Sequence, residues 1–208
     1  TGSNNTAVGA NALDANTTGS HNTAIGYNSL SSNTTAGDNV AVGKDSMYAN
    51  TTGTYNTGLG RSCLEANTTG NYNSAVGYNA LSNATTADAN TSVGYKSLED
   101  NTTGADNSAL GYIALNSNTT GSYNTALGYG ALTTNTTARD NAALGYKALE
   151  NNTTADANTG LGYQALRANT TGTQNTAVGK DALTSNTDAS YSTAVGARSL
   201  EDSTGHSN

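Results

Sequence analysis

Large aliphatic side chains recur at two fixed places in every seventeen residues of this chain, and the polar residues between them recur with the same period. Written from Asn5, the rows run NTAVGANALDANTTGSH, NTAIGYNSLSSNTTAGD, NVAVGKDSMYANTTGTY and NTGLGRSCLEANTTGNY, and the pattern continues without insertion or deletion to Asn208. Residues 5–208 thus form twelve tandem units, and residues 1–4 match the last four positions of a preceding unit. This start inside a unit suggests an excerpt from a longer array.

The columns of these rows constrain the fold. Position 4 holds only Val, Ile or Leu, and position 9 holds Leu in every unit except for Met47, so positions 4 and 9 are the expected core. Position 8 holds only Ala, Ser or Cys, a site with room for a small side chain. Position 5 is always glycine: Gly9, Gly26, Gly43, Gly60, Gly77, Gly94, Gly111, Gly128, Gly145, Gly162, Gly179 and Gly196. Such constancy predicts a corner with positive φ or a close backbone approach. Position 13 is Thr from Thr17 to Thr204, and position 1 is Asn except for Ser192. Positions 7, 10, 11 and 16 vary widely, as solvent-facing sites do. Most charges collect there and at positions 6 and 17.

A seventeen-residue unit with recurrent Gly and Thr is too short for a helical hairpin and disfavours helix. Asn-Thr-Ala-Val reads as a short strand with positions 2 and 4 on one face, Val40 beside Val42. Positions 8 and 9 read as a second short strand or a turn, and Asn-Thr-Thr-Gly as the return to the next coil. The expected fold is all-β: a parallel β-solenoid or β-roll, one coil per repeat, with coils spaced at about 4.8 Å. Like residues then stack into side-chain ladders. Two aliphatics per coil make a thin core, so association is expected to add stability. The preferred arrangement is a homotrimer that buries the small residues of positions 3 and 8 against neighbouring chains; a single-chain solenoid is the other possibility.

Composition adjusts this picture only at its edges. The chain has a net charge of −7, and 11% of its residues are charged, which leaves no basic stripe for a nucleic-acid backbone. No apolar run reaches the roughly 18 residues of a membrane span, so no membrane insertion is expected of this segment. One cysteine, Cys63, makes no internal disulfide and falls at a small-residue site, where a buried hydrophobe is expected.

Repeats place like groups in rows, whereas catalysis needs unlike groups converging, so no enzyme, catalytic residue, cofactor or metal site is expected. His21 and His206 sit far apart in the array, and Asp38, Asp106 and Asp140 at position 17 lack the calcium β-roll pattern. Tyr78, Tyr95, Tyr112, Tyr129, Tyr146 and Tyr163 occupy position 6 in consecutive units. They read either as stacked rings shielding a core edge or as an aromatic platform for a surface glycan or host receptor. Asn-x-Thr glycosylation acceptors occur at Asn16, Asn33, Asn50, Asn67, Asn83, Asn101, Asn118, Asn135, Asn152 and Asn169.

The Asn-Thr-Ala-Val-Gly and Asn-Val-Ala-Val-Gly strands resemble the repeated strand of YadA-like heads in trimeric autotransporter adhesins. The complete unit, such as NTALGYGALTTNTTARD over 124–140, is similar to repeats of bacterial and phage tail-fibre proteins. The resemblance implies a homotrimeric left-handed β-roll on a cell or virion surface, although the YadA-like unit is shorter. The expected function is an extracellular fibre or adhesin shaft spacing a binding tip from a surface. The alternatives are an ice-binding solenoid using the ladder of Thr17, Thr34, Thr51 and their successors, and a carbohydrate-binding rod using the Tyr rows.

Overall fold

The structure is a computed structural model that describes residues 2–202. Thr204 and His206 lie outside the described residues. Twelve three-residue strands recur every seventeen residues, from β1 (Thr6–Val8), β2 (Thr23–Ile25) and β3 (Val40–Val42) to β12 (Thr193–Val195). They form one parallel sheet in sequence order, every strand pairing with the next in unbroken register: Thr6 with Thr23, Ala7 with Ala24, Val8 with Ile25. The chain is therefore a β-solenoid of about eleven turns, with coils of about seventeen residues. Eleven intervals at about 4.8 Å make a rod roughly 53 Å long. Positions 8 and 9 lie in a turn. Coil-to-coil bonding nevertheless continues through the turns: Leu30 N–H donates to Ser46 O at 3.0 Å, and Asn28 N–H to Ala10 O at 3.0 Å.

The position-5 glycines have φ between 122° and 142°. A Cβ on Gly111 would stand 2.4 Å from the Gly128 carbonyl oxygen of the next coil, so backbone approach and backbone angle both exclude a side chain there. Three further positions per coil are left-handed: 7, 9 and 17. Position 7 supplies Asn, Asp or Gly in half its copies, the types that tolerate αL. Ile113 is β-branched at φ 49°, a strained exception. The Leu of position 9 accepts φ near 50° because its side chain is then fully buried, as at Leu30 and Leu115.

Positions 2 and 4 share a face, but it is the outer one, which overturns the expectation that position 4 belongs to the core. Leu110, Leu127 and Leu161 are 47%, 40% and 43% exposed, while Ala109 and Ala126 between the two rows are buried. The interior is built from Leu at position 9 and from the small residues at 3 and 8. Those small residues therefore line the inside of each coil and cannot be a face between chains. Space explains the inversion. A Cβ at Gly160 would stand 3.3 Å from Leu149 Cγ, and one at Gly58 would stand 3.2 Å from Met47 Cε and 3.5 Å from Cys63 Cβ. Gly58 thus offsets the two off-pattern residues, Met47 and Cys63, that pack against it. No volume is left inside for a second large aliphatic per coil.

Two buried asparagine ladders complete the wall. In most coils the Asn of position 1 and the Asn of position 12 both donate to the carbonyl of position 15; Asn22 and Asn33 reach Ala36 O at 2.9 and 3.0 Å. Two coils depart from this: Ala84 replaces the position-12 Asn in one, and in another Ala155 O accepts from Asn152 and from Asn158 of the next coil. Between coils, Asn33 Nδ2 donates to Asn16 Oδ1 at 3.0 Å, and Asn39 N–H donates to Asn22 Oδ1 at 3.1 Å. These bonds satisfy polar groups that would otherwise be costly to bury.

Candidate functional site

Strand periodicity and the volume limit at position 3 together turn the aliphatics of position 4 outward. They form an unbroken row from Val8 to Val195. Beside it runs position 2, with eight Thr, two Ser, Val40 and Ala142. Neither row contains a charged residue in any copy. A shallow depression of about 210 Å³ lies on this face, lined by Thr91, Ser108, Ala109, Leu110, Thr125, Ala126 and Leu127. The face offers shape, apolar area and hydroxyls, and neither row carries a His, Cys or charged side chain beside those hydroxyls. Sequence reasoning placed these residues inside. The signal that could have located them is that position 3 accepts only Ala, Gly or Ser, a tighter restriction than the Val, Ile and Leu of position 4.

The sequence-predicted tyrosines form a second feature. Tyr78, Tyr95, Tyr112, Tyr129, Tyr146 and Tyr163 stack with centroids 5.0–5.5 Å apart and planes within 7–17° of parallel. Cations cover both ends of the row: Arg61 Cζ lies 5.6 Å from the Tyr78 centroid, and Lys180 Nζ lies 5.7 Å from that of Tyr163. Ring faces inside the row are occupied by neighbouring rings. The row consequently presents edges to solvent, whereas a sugar platform needs open faces. Beside it, Lys96 pairs with Glu99 at 3.1 Å, and Lys147 and Arg167 converge on Glu150 at 2.8 and 2.9 Å. Burial raises the Glu99 carboxyl, but hydrogen bonds from Asn79, Lys96 and Asn116 outweigh it and hold the group below its ordinary range. Glu150 is lowered in the same way by Lys147 and Arg167.

The Thr row of position 13 is committed within the rod. Thr17 Oγ1 donates to Thr34 O at 2.9 Å and Thr34 Oγ1 to Thr51 O at 3.2 Å, a bond repeated along the row. Of the Asn-x-Thr acceptors, Asn33, Asn50, Asn67, Asn101, Asn118, Asn135, Asn152 and Asn169 are fully buried in the ladder. Their Nδ2 hydrogens already bond inside the wall, as at Asn118, which donates to Asn101 Oδ1 and Gly121 O. Asn16 is half-buried, with Nδ2 donating to Gly19 O at 3.0 Å. Asn83 alone among the ten is exposed, its Nδ2 donating to Asp100 Oδ1 at 3.2 Å. In the folded coil the amide of Asn83 is thus the most accessible of the ten, followed by that of Asn16.

Cys63 is buried, its thiol bonded to Gly77 O, and burial pushes its pKa up to about 11, which leaves it a poor nucleophile. His21 stands near Asp38 at 3.8 Å on the surface. Among the described residues no group of three or more His, Cys, Asp or Glu side chains could hold a metal ion. Compared with family models, with curated proteins and with solved structures, the chain has no match.

Proposed function

We propose that this chain is a structural segment of an extracellular fibre or adhesin, on a cell or virion surface, whose copies associate as a homotrimer through the outward face of positions 2 and 4. The observation that carries this reading is the uncharged aliphatic stripe. It runs the length of the rod, and between its end members it is 37–47% exposed at six positions and partly exposed at the other four. Two side-chain rows about 7 Å apart over roughly 53 Å amount to roughly 370 Å² of continuous uncharged surface, aliphatic on one side and mostly hydroxyl-bearing on the other. That is the size of the largest patch on a typical monomer, a class that often marks an interaction face. Facing stripes on parallel copies would bury it and supply the large-residue core that the interior of each coil lacks. This replaces the small-residue interface with one the fold leaves accessible.

Light scattering or native mass spectrometry of the full chain tests the proposal. A trimer mass is expected, and the double variant Leu110→Asp, Leu127→Asp should fall to a monomer that keeps its β spectrum. A monomeric parent protein would overturn the reading.

Ice binding is the second reading, and it uses the same face. The position-13 hydroxyls are committed to carbonyls, whereas the Thr side chains of position 2 stand beside the aliphatic row on a regular sheet. A monomeric mass together with thermal hysteresis would transfer the function of this face to ice.

A further inference from the structure

We propose that the six-ring tyrosine row is a site of oxidative cross-linking, at which rings on successive coils join as dityrosine. Each ring is seventeen residues from the next in sequence, and its centroid lies only 5.0–5.5 Å from that neighbour. The backbones beneath are held in register by the parallel ladder, so this proximity belongs to the fold and not to a chance side-chain conformation. All six rings are 40–46% exposed, which leaves their edges, where the reactive carbons lie, open to an oxidant. Arg61 and Lys180 occupy the same column at either end, so the row is a closed set of six partners.

The chemistry balances with a peroxidase and hydrogen peroxide as the oxidant. Each of two phenols gives up one electron and its O–H proton, forming two neutral tyrosyl radicals. The unpaired electrons join in a carbon–carbon bond between ring carbons ortho to oxygen. Each coupled carbon then passes its hydrogen to its ring oxygen through solvent, which restores both phenols. The peroxide takes up two electrons and two protons and leaves as two waters. Holding the partners side by side lowers the entropic barrier to coupling. Every cross-link closes a seventeen-residue loop between adjacent coils and so works as a staple against unwinding. Six rings allow three such staples. Tyr55 and Tyr72 share the geometry at 5.2 Å and parallel planes, and form a fourth pair. Tyr27, Tyr48, Tyr123 and Tyr191 stand in columns whose adjacent coils carry other residue types, so they have no ring to join.

The full chain, dilute and mixed from isotopically heavy and light halves, is treated with a peroxidase and limiting hydrogen peroxide, then digested and mapped by mass spectrometry. The expected products are same-isotope links that have lost two hydrogens and join tyrosines seventeen residues apart in the row, or Tyr55 to Tyr72. Links that are mostly heavy–light, or that involve Tyr27, Tyr48, Tyr123 and Tyr191 as often as the row, would overturn the proposal. A triple variant, Tyr95→Phe, Tyr129→Phe, Tyr163→Phe, keeps every stacked ring but leaves the phenols two coils apart. Its row links should fall about tenfold while the Tyr55–Tyr72 link and the β spectrum stay as in the parent. An unchanged yield of row links in that variant would also overturn it.

Discussion

Asn67 shows what one side chain is worth in a ladder. Its Oδ1 is buried with no donor, because the next coil carries Ala84 where the other interior coils carry Asn. Ala84 is itself fully buried and stands at the same point of the coil as Asn50 and Asn101, so that point already accommodates an amide elsewhere in the rod. Ala84→Asn would give Asn67 its donor and Asn101 Nδ2 a new acceptor, and should stabilise the protein by about 1 kcal/mol. The urea midpoint should rise with no change in slope. A midpoint that is unchanged or lower would show that the orphaned oxygen costs the wall nothing.

At the scale of the coil, charge is concentrated beside the tyrosine row. Glu99 and Glu150 are held below their ordinary value of 4.5 even though burial opposes this, because amide, lysine and arginine donors favour the carboxylate. A carboxyl depressed in the folded state contributes stability above its unfolded pKa, and that contribution disappears as pH falls through the folded value. The double variant Glu99→Gln, Glu150→Gln should therefore be less stable than the parent at pH 7, by about 1 kcal/mol or less for each partly exposed pair. As pH falls below the ordinary Glu range and through the lowered folded values, the gap should close as the parent's own carboxylates protonate. Denaturant midpoints across that range measure it, and a gap that persists in acid would assign the difference to packing.

The coil also marks where sequence reasoning stopped. The seventeen-residue period and the parallel, in-register stacking were legible, because a repeat without insertions leaves little other way to pair strands. Which side of the strand faces inward was not. Alternation places Thr125 and Leu127 on one face and Ala126 on the other, but it carries no sign, and hydrophobicity argued for Leu127 inside. The volume beside Leu115 and Leu132 decides the matter, and that volume is visible only once the turn has wrapped position 9 back across the strand. The buried amides were hidden for a related reason. Asn118 reads as a turn residue and a glycan acceptor until its column is seen to be a stack of mutual donors and acceptors inside the wall.

At the scale of the whole molecule, each coil touches only its neighbours, so stability is a sum over adjacent interfaces and the outer coils have one interface fewer. Amide hydrogen exchange should be fastest in peptides around β1 and β12 and slowest around residues 90–130, graded in between. Uniform protection along the chain would mean that the rod opens as one unit.

In-register stacking has a consequence for alignment between copies. In the proposed trimer, shifting one rod against another by a whole coil would set aliphatic against aliphatic and, at most coils, Thr against Thr once more, so that contact would be almost blind to displacement by its own repeat. Residues that depart from the repeat distinguish one setting from the next, among them Val40, Ser74, Ser108 and Ala142 on the outer sheet face, and Arg61 and Lys180 at the limits of the aromatic column. The chain is a ruler with few graduations, and these irregular side chains are the marks by which parallel copies can find a common zero.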